Sequence, residues 1–318
     1  QQNLRTVVML EIPKKNFSRS VNVNNVRIVT LADWLEASLL FGETEISKSD
    51  VVDVLIEEQI CDGGAQDLAN EIADLGWAEI RLRQSWGGIS PNLTISANRL
   101  TFAADWREDP IRAFLVMLSI LQLYPEWSEK HQDFSVQGDL FERVAEEICP
   151  GLLPGWTTVR AGWSPDNAVS IDLIVTDLCE RLNTLGSLRL DDWTSDATKD
   201  GGLDLVCYRE FADSREATPT YFLQCASGTN WRNKIHTPCA ISWMKYLDAA
   251  VQPSTGIVAP FVISTEEMRH AGLSGQITVF DRIRLLHATY DNNILLSDPL
   301  KQDVIAWVHQ RAQDIPTI

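Results

Sequence analysis

Apolar residues recur at helical spacing through most of residues 1–130, and they predict a mostly helical N-terminal module. Two short segments of alternating apolar and polar residues, 93–96 and 99–102, predict a hairpin around Asn98. Two further apolar segments, 6–11 and 26–29, are typical of strands. Helices are predicted over 32–41, from about 47 to 60, over 65–85, and from Pro110 to a point before Pro125.

The second part of the chain, residues 131–318, alternates short apolar runs with helical segments. Residues 125–138, at the junction, are polar and unpatterned and are predicted to form a linker. Alternating strands and helices are typical of a mixed sheet flanked by helices, so the predicted class is α/β, or α+β over the whole chain. Strands are predicted at 157–159, around Asp204, around Gln224, at 256–264 and at 276–280, and helices over 140–148, 167–183, 231–248 and 300–312, the last on the outside.

Two successive strands of this second domain each contain one side chain with an oxygen donor. Asp204 follows Gly201-Gly202-Leu203, and Gln224 lies 224 − 204 = 20 positions later. An aspartate in an apolar strand is costly unless it is paired or bound to a cation. Two oxygens at one sheet edge would suit a hard divalent metal such as Mg²⁺, which is a common basis for phosphodiester hydrolysis.

The run Gly-Gly-x-Asp, a hairpin and then Gln-Cys resembles the core of the PD-(D/E)xK (restriction endonuclease-like) nuclease superfamily, nearest to its Mrr-like branch. The resemblance covers about residues 138–290. It implies a restriction-endonuclease-like mixed sheet and a Mg²⁺ or Mn²⁺ ion held by Asp204, Gln224 and the carbonyl of Cys225. It also implies a glutamate on the first helix of the core that faces the metal, and Glu142 is the matching residue. Asp200 is a weaker candidate for a second metal.

The lysine of this family motif is missing, because Ala226 stands two positions after Gln224. A helix from Trp231, capped by Thr229 or Asn230, would bring Lys234 near the end of the Gln224 strand. Lys234, and less favourably Arg232, is therefore the candidate cation for the phosphate. The alternative is that Lys234 is an ordinary solvated residue. Glutamine in place of glutamate weakens the metal site without abolishing it.

The net charge is the main observation against a nuclease. The chain has 27 basic and 44 acidic residues, a net charge of −17. Affinity for DNA rises with the number of phosphates that Lys and Arg neutralise, so local clusters of cations, or a partner subunit, would have to supply the contacts. The candidate cations are Arg232, Lys234, Lys245, Arg282 and Arg284.

Other classes of protein find little support. The six cysteines form no Cys-x-x-Cys, no phosphate-binding glycine loop is present, and the five histidines lack metal spacing. The most apolar run, 113–123, is about half the roughly 20 residues needed to span a bilayer. The chain opens on Gln1-Gln2-Asn3, unlike a secretory signal. A cytoplasmic protein with no membrane association is expected.

Helices followed by a two-stranded hairpin also outline a winged-helix-like module in residues 1–130. Its second helix, 51–58, is acidic, which favours protein contact over DNA contact. The eleven tryptophans, among them Trp127, Trp156, Trp193 and Trp231, are read as core residues, with base stacking as the alternative.

Three interpretations of function follow. The first is a metal-dependent nuclease acting on nucleic acid, with DNA as the expected substrate and, by the resemblance, bacterial defence against phage or foreign DNA as its role. The second is a nuclease-like subunit that has lost catalysis and serves as a binding or scaffold protein in a defence complex. The third is an acidic protein that covers a partner's DNA-binding surface. A protein partner or a homo-oligomer is expected because of the acidic charge.

Overall fold

A computed structural model gives the fold of this chain over residues 9–13, 27–61, 66–161, 170–195, 198–228 and 230–318. The chain divides into two compact units, one formed by 1–132 with 297–318 and the other by 133–296. The described residues contain helices, a three-stranded antiparallel sheet and a five-stranded mixed sheet. The predicted α/β class is thereby confirmed at this level.

The first unit joins helices to the three-stranded sheet, whose strand order is β1-β3-β2. Ser47 accepts the backbone N–H of Asp50, whose side chain in turn accepts that of Ser47, and this reciprocal cap begins α2. Asp109 caps α4, and Pro110 occupies its first position, where no N–H is needed. The elements are α1 (Ile28–Phe41), β1 (Glu45–Ser47), α2 (Lys48–Glu57), α3 (Gln66–Ser85), β2 (Leu93–Ile95), β3 (Arg99–Phe102), a 3₁₀ turn (Trp106–Glu108), α4 (Pro110–Leu121), α5 (Pro125–Glu129) and, at the end of the chain, α12 (Asp298–Ala312).

Three predictions for this part of the chain are wrong. The strand predicted over 26–29 is not formed by the described residues 27–29, because α1 begins at Ile28 and continues the helical pattern, and residue 26 lies outside the described residues. Residues 125–138 are not a linker, because α5 begins at Pro125 and the next helix begins at Phe134. The last helix, predicted on the outside of the 131–318 part, belongs to the first unit and packs there on α4, with the Trp307 ring 5.2 Å from that of Phe114. Of the strand predicted over 6–11, Leu10 pairs with Thr317, and residues 6–8 lie outside the described residues.

The second unit is built on the five-stranded sheet, in the order β4-β5-β6-β7-β8. The first three strands are antiparallel, while β7 and β8 run parallel to β6. The elements are α6 (Phe134–Leu152), β4 (Thr157–Arg160), α7 (Ile171–Leu182), α8 (Leu190–Trp193), β5 (Leu205–Tyr208), β6 (Thr220–Cys225), a 3₁₀ turn (Trp231–Lys234), α9 (Ala240–Leu247), β7 (Ser254–Val258), α10 (Thr265–Gly275), β8 (Thr278–Phe280) and α11 (Arg282–Asp291).

Helices cover this sheet, and its strand ends define one edge. Val206 and Phe222 pack in one cluster with residues of α7 and α9, while α6 contacts β4, β5 and β6. Arg160 pairs in register with Leu205, and Leu205 pairs with Leu223. The end of β4, the start of β5 and the end of β6 therefore meet at the same edge of the sheet.

The predicted helix over 231–248 is interrupted. Trp231–Lys234 forms a single 3₁₀ turn, and α9 begins only at Ala240. Pro238 accounts for the interruption, because it has no N–H to donate and disfavours helical geometry at Thr237. A second correction concerns Arg282, which is fully buried and so cannot contact DNA as expected. Arg284 is exposed and donates to the carbonyl of Val279, so its role as a candidate cation stays a prediction.

Candidate functional site

Asp204 and Gln224 lie side by side at this edge of the sheet. The backbone of Asp204 donates to Leu223 on β6 at 3.0 Å and accepts from Ala161 after β4 at 2.9 Å. Both side chains are buried, with 6% and 7% exposure. Oδ2 of Asp204 accepts the backbone N–H of Cys225 at 2.6 Å and the side-chain amide of Gln224. The structure thus brings the first two predicted site residues into direct contact.

The two glycines before Asp204 are required by the backbone. Gly201 and Gly202 have φ of +61° and +70°, a conformation that other residues rarely adopt. A Cβ on Gly202 would lie 1.9 Å from the Thr237 methyl group and 3.2 Å from Oε1 of Gln224. Asp200 accepts the N–H of Gly202 at 2.8 Å and closes the turn. The glycines therefore let the segment around Thr237 pack directly against the site.

Burial perturbs the acidity of Asp204. Burial is the main cause that raises the pKa of its carboxyl to about 7, and the charge of Asp200 adds to the rise. The Cys225 N–H, the charge of Lys234 and the hydrogen bond from Gln224 oppose it, because each favours the ionised form. An acidic group whose pKa lies near neutrality within such a site is a marker of chemical function.

Glu142 of α6 belongs to the same electrostatic group. Burial, followed by the charge of Asp204, raises the pKa of Glu142 to about 8. Arg160 opposes this rise, and it forms ion pairs with Asp139 at 2.8 Å and Glu146 at 3.7 Å. The negative charge of Asp204 thus disfavours ionisation of Glu142, and this links the two carboxyls electrostatically.

Of the two candidate cations, Lys234 is the one whose charge acts on the site. Its positive charge favours the ionised forms of Asp204 and of the Cys225 thiol, and so it opposes the rise in pKa that burial causes in both groups. It is half-buried at the end of the 3₁₀ turn, and it forms no ion pair with any described residue. Arg232 is instead exposed and forms an ion pair with Glu267.

The donor set at this point fits a hard divalent cation, although it is a sparse one. Among the described residues, no three side chains of His, Cys, Asp or Glu are grouped to hold a metal. The oxygens at hand are the Asp204 carboxylate, the Gln224 amide and the Cys225 carbonyl, which lies 3.4 Å from the Gln224 nitrogen. This nitrogen, and not the oxygen, faces Asp204, and a half-turn of the amide exchanges the two. A cation beside Asp204 would also offset its costly buried charge.

Arg160 and Thr237 are the neighbours of the site that sequence reasoning missed. Arg160 ends β4, which places it at the same sheet edge as Asp204, and its position directly after the predicted strand 157–159 was the available signal. Thr237 has no comparable signal, because its contact with Gly202 depends on the interruption before α9. Cys207 and Cys225 are buried thiols, as expected.

The remaining observations concern the whole chain. Within the part of the chain that the structure describes, no helix has both the length and the apolar character to cross a bilayer. Comparison with protein-family models, with curated proteins and with solved structures gives no match to this chain. The interpretation of the site therefore depends on its own residues.

Proposed function

We propose that the second unit is a metal-dependent nuclease that hydrolyses phosphodiester bonds of nucleic acid, built on a restriction-endonuclease-like core. The observation that carries the proposal is the contact between Asp204 and Gln224 at one sheet edge, with Glu142 coupled to them electrostatically. Buried carboxyls with raised pKa values are costly for folding, and a metal-dependent reaction gives a reason for retaining them. The mixed sheet with helices packed on it agrees with the family resemblance.

Each residue of the site has a distinct role in this proposal. Asp204, Gln224 and the Cys225 carbonyl would hold Mg²⁺ or Mn²⁺. Such an ion, when bound, polarises a phosphate oxygen and lowers the pKa of a bound water. Lys234 stabilises negative charge on the phosphate, which is the role of the missing motif lysine. Glu142, with its pKa of about 8, carries a proton near neutral pH and can transfer it within the site.

The first unit has the element order of a winged-helix-like module, α1-β1-α2-α3-β2-β3. The exposed side of its third helix carries Asp67, Glu71 and Asp74, which would repel a DNA backbone. We therefore assign this unit to contact with a protein, either a partner or a second copy of the chain. A role in defence against phage or foreign DNA rests on the family resemblance alone.

The second candidate function is a nuclease-like subunit without catalysis that acts as a binding or scaffold protein. Two observations favour it. Gln224 presents its amide nitrogen to Asp204, and Ala226 replaces the motif lysine. Metal-dependent cleavage distinguishes the two functions directly.

The test is incubation of the full chain with single- and double-stranded DNA and RNA in Mg²⁺, in Mn²⁺ and in EDTA. The proposal expects metal-dependent cleavage that Asp204→Asn abolishes and that Lys234→Ala slows by about 100-fold. Arg232→Ala is the matched control, because Arg232 stands in the same 3₁₀ turn but forms an ion pair with Glu267, and it should keep full activity. Absence of cleavage under every condition, or cleavage that survives Asp204→Asn, would reject the nuclease and favour the scaffold.

A further inference from the structure

Positive charge is segregated around α9. Residues 217–247 contain Arg232, Lys234 and Lys245 but no aspartate or glutamate, in a chain where 44 of 318 residues are acidic. Lys245 lies on the exposed side of α9 and forms no ion pair with any described residue. Arg232 is paired with Glu267 and Lys234 acts on Asp204, so Lys245 is the cation of this stretch that remains to attract a polyanion.

An exposed aromatic ring lies beside this positive charge. Trp193 of α8 is 42% exposed, whereas Trp231 and Trp243 are buried. The Lys245 Nζ lies 4.2 Å from the centre of the Trp193 ring, and the Arg189 guanidinium carbon lies 5.7 Å from it. The expectation that the tryptophans are core residues is therefore wrong for Trp193. Arg189 forms an ion pair with Asp192 at 2.6 Å, so Lys245 is the cation beside the ring that has no ion pair among the described residues. A solvated indole beside such a lysine is an arrangement with which proteins stack an unpaired base and bind its phosphate.

A polar cavity opens on the same side of α9. Its volume is about 460 Å³, and none of the residues that line it carries a carboxylate, an ammonium or a guanidinium group. Its lining includes the hydrogen-bonding side chains of Tyr221, His236, Gln252 and Gln276. Ile241 also lines it and lies one helical turn before Lys245. The cavity thus lies within about one helical turn of Lys245 and offers groups that can contact the edges of a base.

We infer that this α9 surface, formed by Trp193, Lys245 and the adjoining cavity, binds one unpaired strand of nucleic acid. The inference rests on the proposed function and specifies its substrate class as single-stranded nucleic acid. A duplex keeps its bases stacked on one another, so it cannot use the Trp193 ring. Thr237, at the approach to α9, packs against Gly202, which connects this surface to the site of Asp204.

The test is fluorescence anisotropy in EDTA with a labelled 20-residue DNA strand, the RNA strand of the same sequence and the DNA duplex. The full chain should bind a single strand at least about tenfold more tightly than the duplex, and Trp193→Ala should weaken that binding about tenfold. Lys245→Ala should reduce the salt dependence by about one phosphate contact. Trp86→Ala, which removes an exposed tryptophan from the first unit, is the control and should change nothing.

Binding in EDTA separates this inference from the nuclease proposal, because it requires no cleavage. Single-strand binding that depends on Trp193, without cleavage of any substrate, would reject the nuclease and keep the α9 surface. Cleavage with strand binding unchanged in Trp193→Ala and Lys245→Ala, or a preference for the duplex, would overturn the inference and leave the nuclease intact. The relative affinities for the DNA strand and for the RNA strand show which of the two nucleic acids this surface prefers. Both substituted side chains are solvent-exposed, and circular dichroism checks that the variants fold.

Discussion

Asp204→Asn is expected to stabilise the second unit above neutral pH. The wild-type carboxyl has a pKa of about 7 in the folded protein against 3.8 in an exposed aspartate. Because the folded pKa is the higher one, the unfolded chain loses its proton first as the pH rises. The free energy of unfolding should therefore fall between pH 4 and pH 7 and then level off. An asparagine has no proton to lose, so the part of the fall that Asp204 causes should be absent from the variant, while the part that Glu142 causes through its own raised pKa should remain in both proteins.

The magnitude follows from the rise in pKa and from the geometry. A difference of one in pKa corresponds to about 1.4 kcal/mol, so the rise from 3.8 to about 7 gives a cost of about 4 kcal/mol above pH 7. At pH 5 the cost is about 2 kcal/mol, because the folded carboxyl is still protonated there. The burial of Asp204 keeps solvent from screening this effect. The asparagine oxygen can still accept the Cys225 N–H that now lies 2.6 Å from Oδ2, so no hydrogen bond need be lost.

Urea denaturation at pH 5 and pH 8, followed by hydrogen exchange of the peptides that contain β5 and β6, reads this unit separately from the first. Local exchange is needed because a chain of two units does not unfold as one two-state system. The variant should gain about 2 kcal/mol more over wild type at pH 8 than at pH 5. Saturating Mg²⁺ should stabilise the wild type at pH 8 and leave the variant unchanged.

Asp191→Asn serves as the control, because Asp191 is an exposed carboxyl on α8 whose loss should change stability by less than about 0.5 kcal/mol. The reasoning would be refuted by parallel pH profiles for wild type and Asp204→Asn, or by a variant less stable than wild type at pH 8. Either result would mean that neighbouring groups compensate the buried carboxylate, and that its ionisation does not carry the free-energy cost worked out above.

Three further predictions concern the backbone, a thiol and the first unit. Gly202→Ala should destabilise the second unit by about 2–3 kcal/mol in urea, because its φ is +70° and the new Cβ would clash with Thr237. The exposed Cys239 should react fastest of the thiols with a disulfide reagent near pH 8, because hydrogen bonds from Ser242 lower its pKa, and Cys239→Ser should remove the fast phase. Arg83→Ala should lower the free energy of unfolding of the first unit by about 3–5 kcal/mol, because it removes a cationic partner of the buried Asp33 and Glu36. The exposed ion pair of Arg99 with Glu45 should contribute under about 1 kcal/mol in the same measurement.

Periodicity was sufficient wherever a segment is long or buried on one face. The predicted helices over 32–41, 65–85 and 140–148 correspond to α1, α3 and α6, and the hairpin around Asn98 corresponds to β2 and β3. The pattern could not show on which other element the apolar face of each helix packs. The apolar residues of α12 predict a packed helix, but only the fold decides that it packs on α4. β1 has three residues, too few for a periodic signal.

The same limit applies to the site. Asp204 and Gln224 were found because each is one polar residue in a short apolar strand joined by one hairpin. The electrostatic coupling of Glu142 to Asp204 depends on how α6 crosses the sheet, which its own sequence does not encode. Burial of Arg282 is likewise a tertiary outcome, because an arginine at the first position of a helix is ordinarily solvated. Positions fixed by local pattern were predictable, and positions fixed by packing were not.

Ala226 gives a structural reason for the position of Lys234. Its side chain is fully buried and packs in one cluster with Trp231 and Ile235, the residues that flank Lys234 in the chain. A lysine at 226 would have to fit within this filled cluster. The small residue at the motif position thus belongs to the same core as the residues next to Lys234. On the proposed function, Ala226→Lys should therefore fail to restore cleavage to Lys234→Ala and should also destabilise the second unit by about 1–3 kcal/mol through overpacking. Recovery of activity in the double variant, measured beside each single variant, would instead mean that the motif position remains usable and that packing around Ala226 does not account for the position of Lys234.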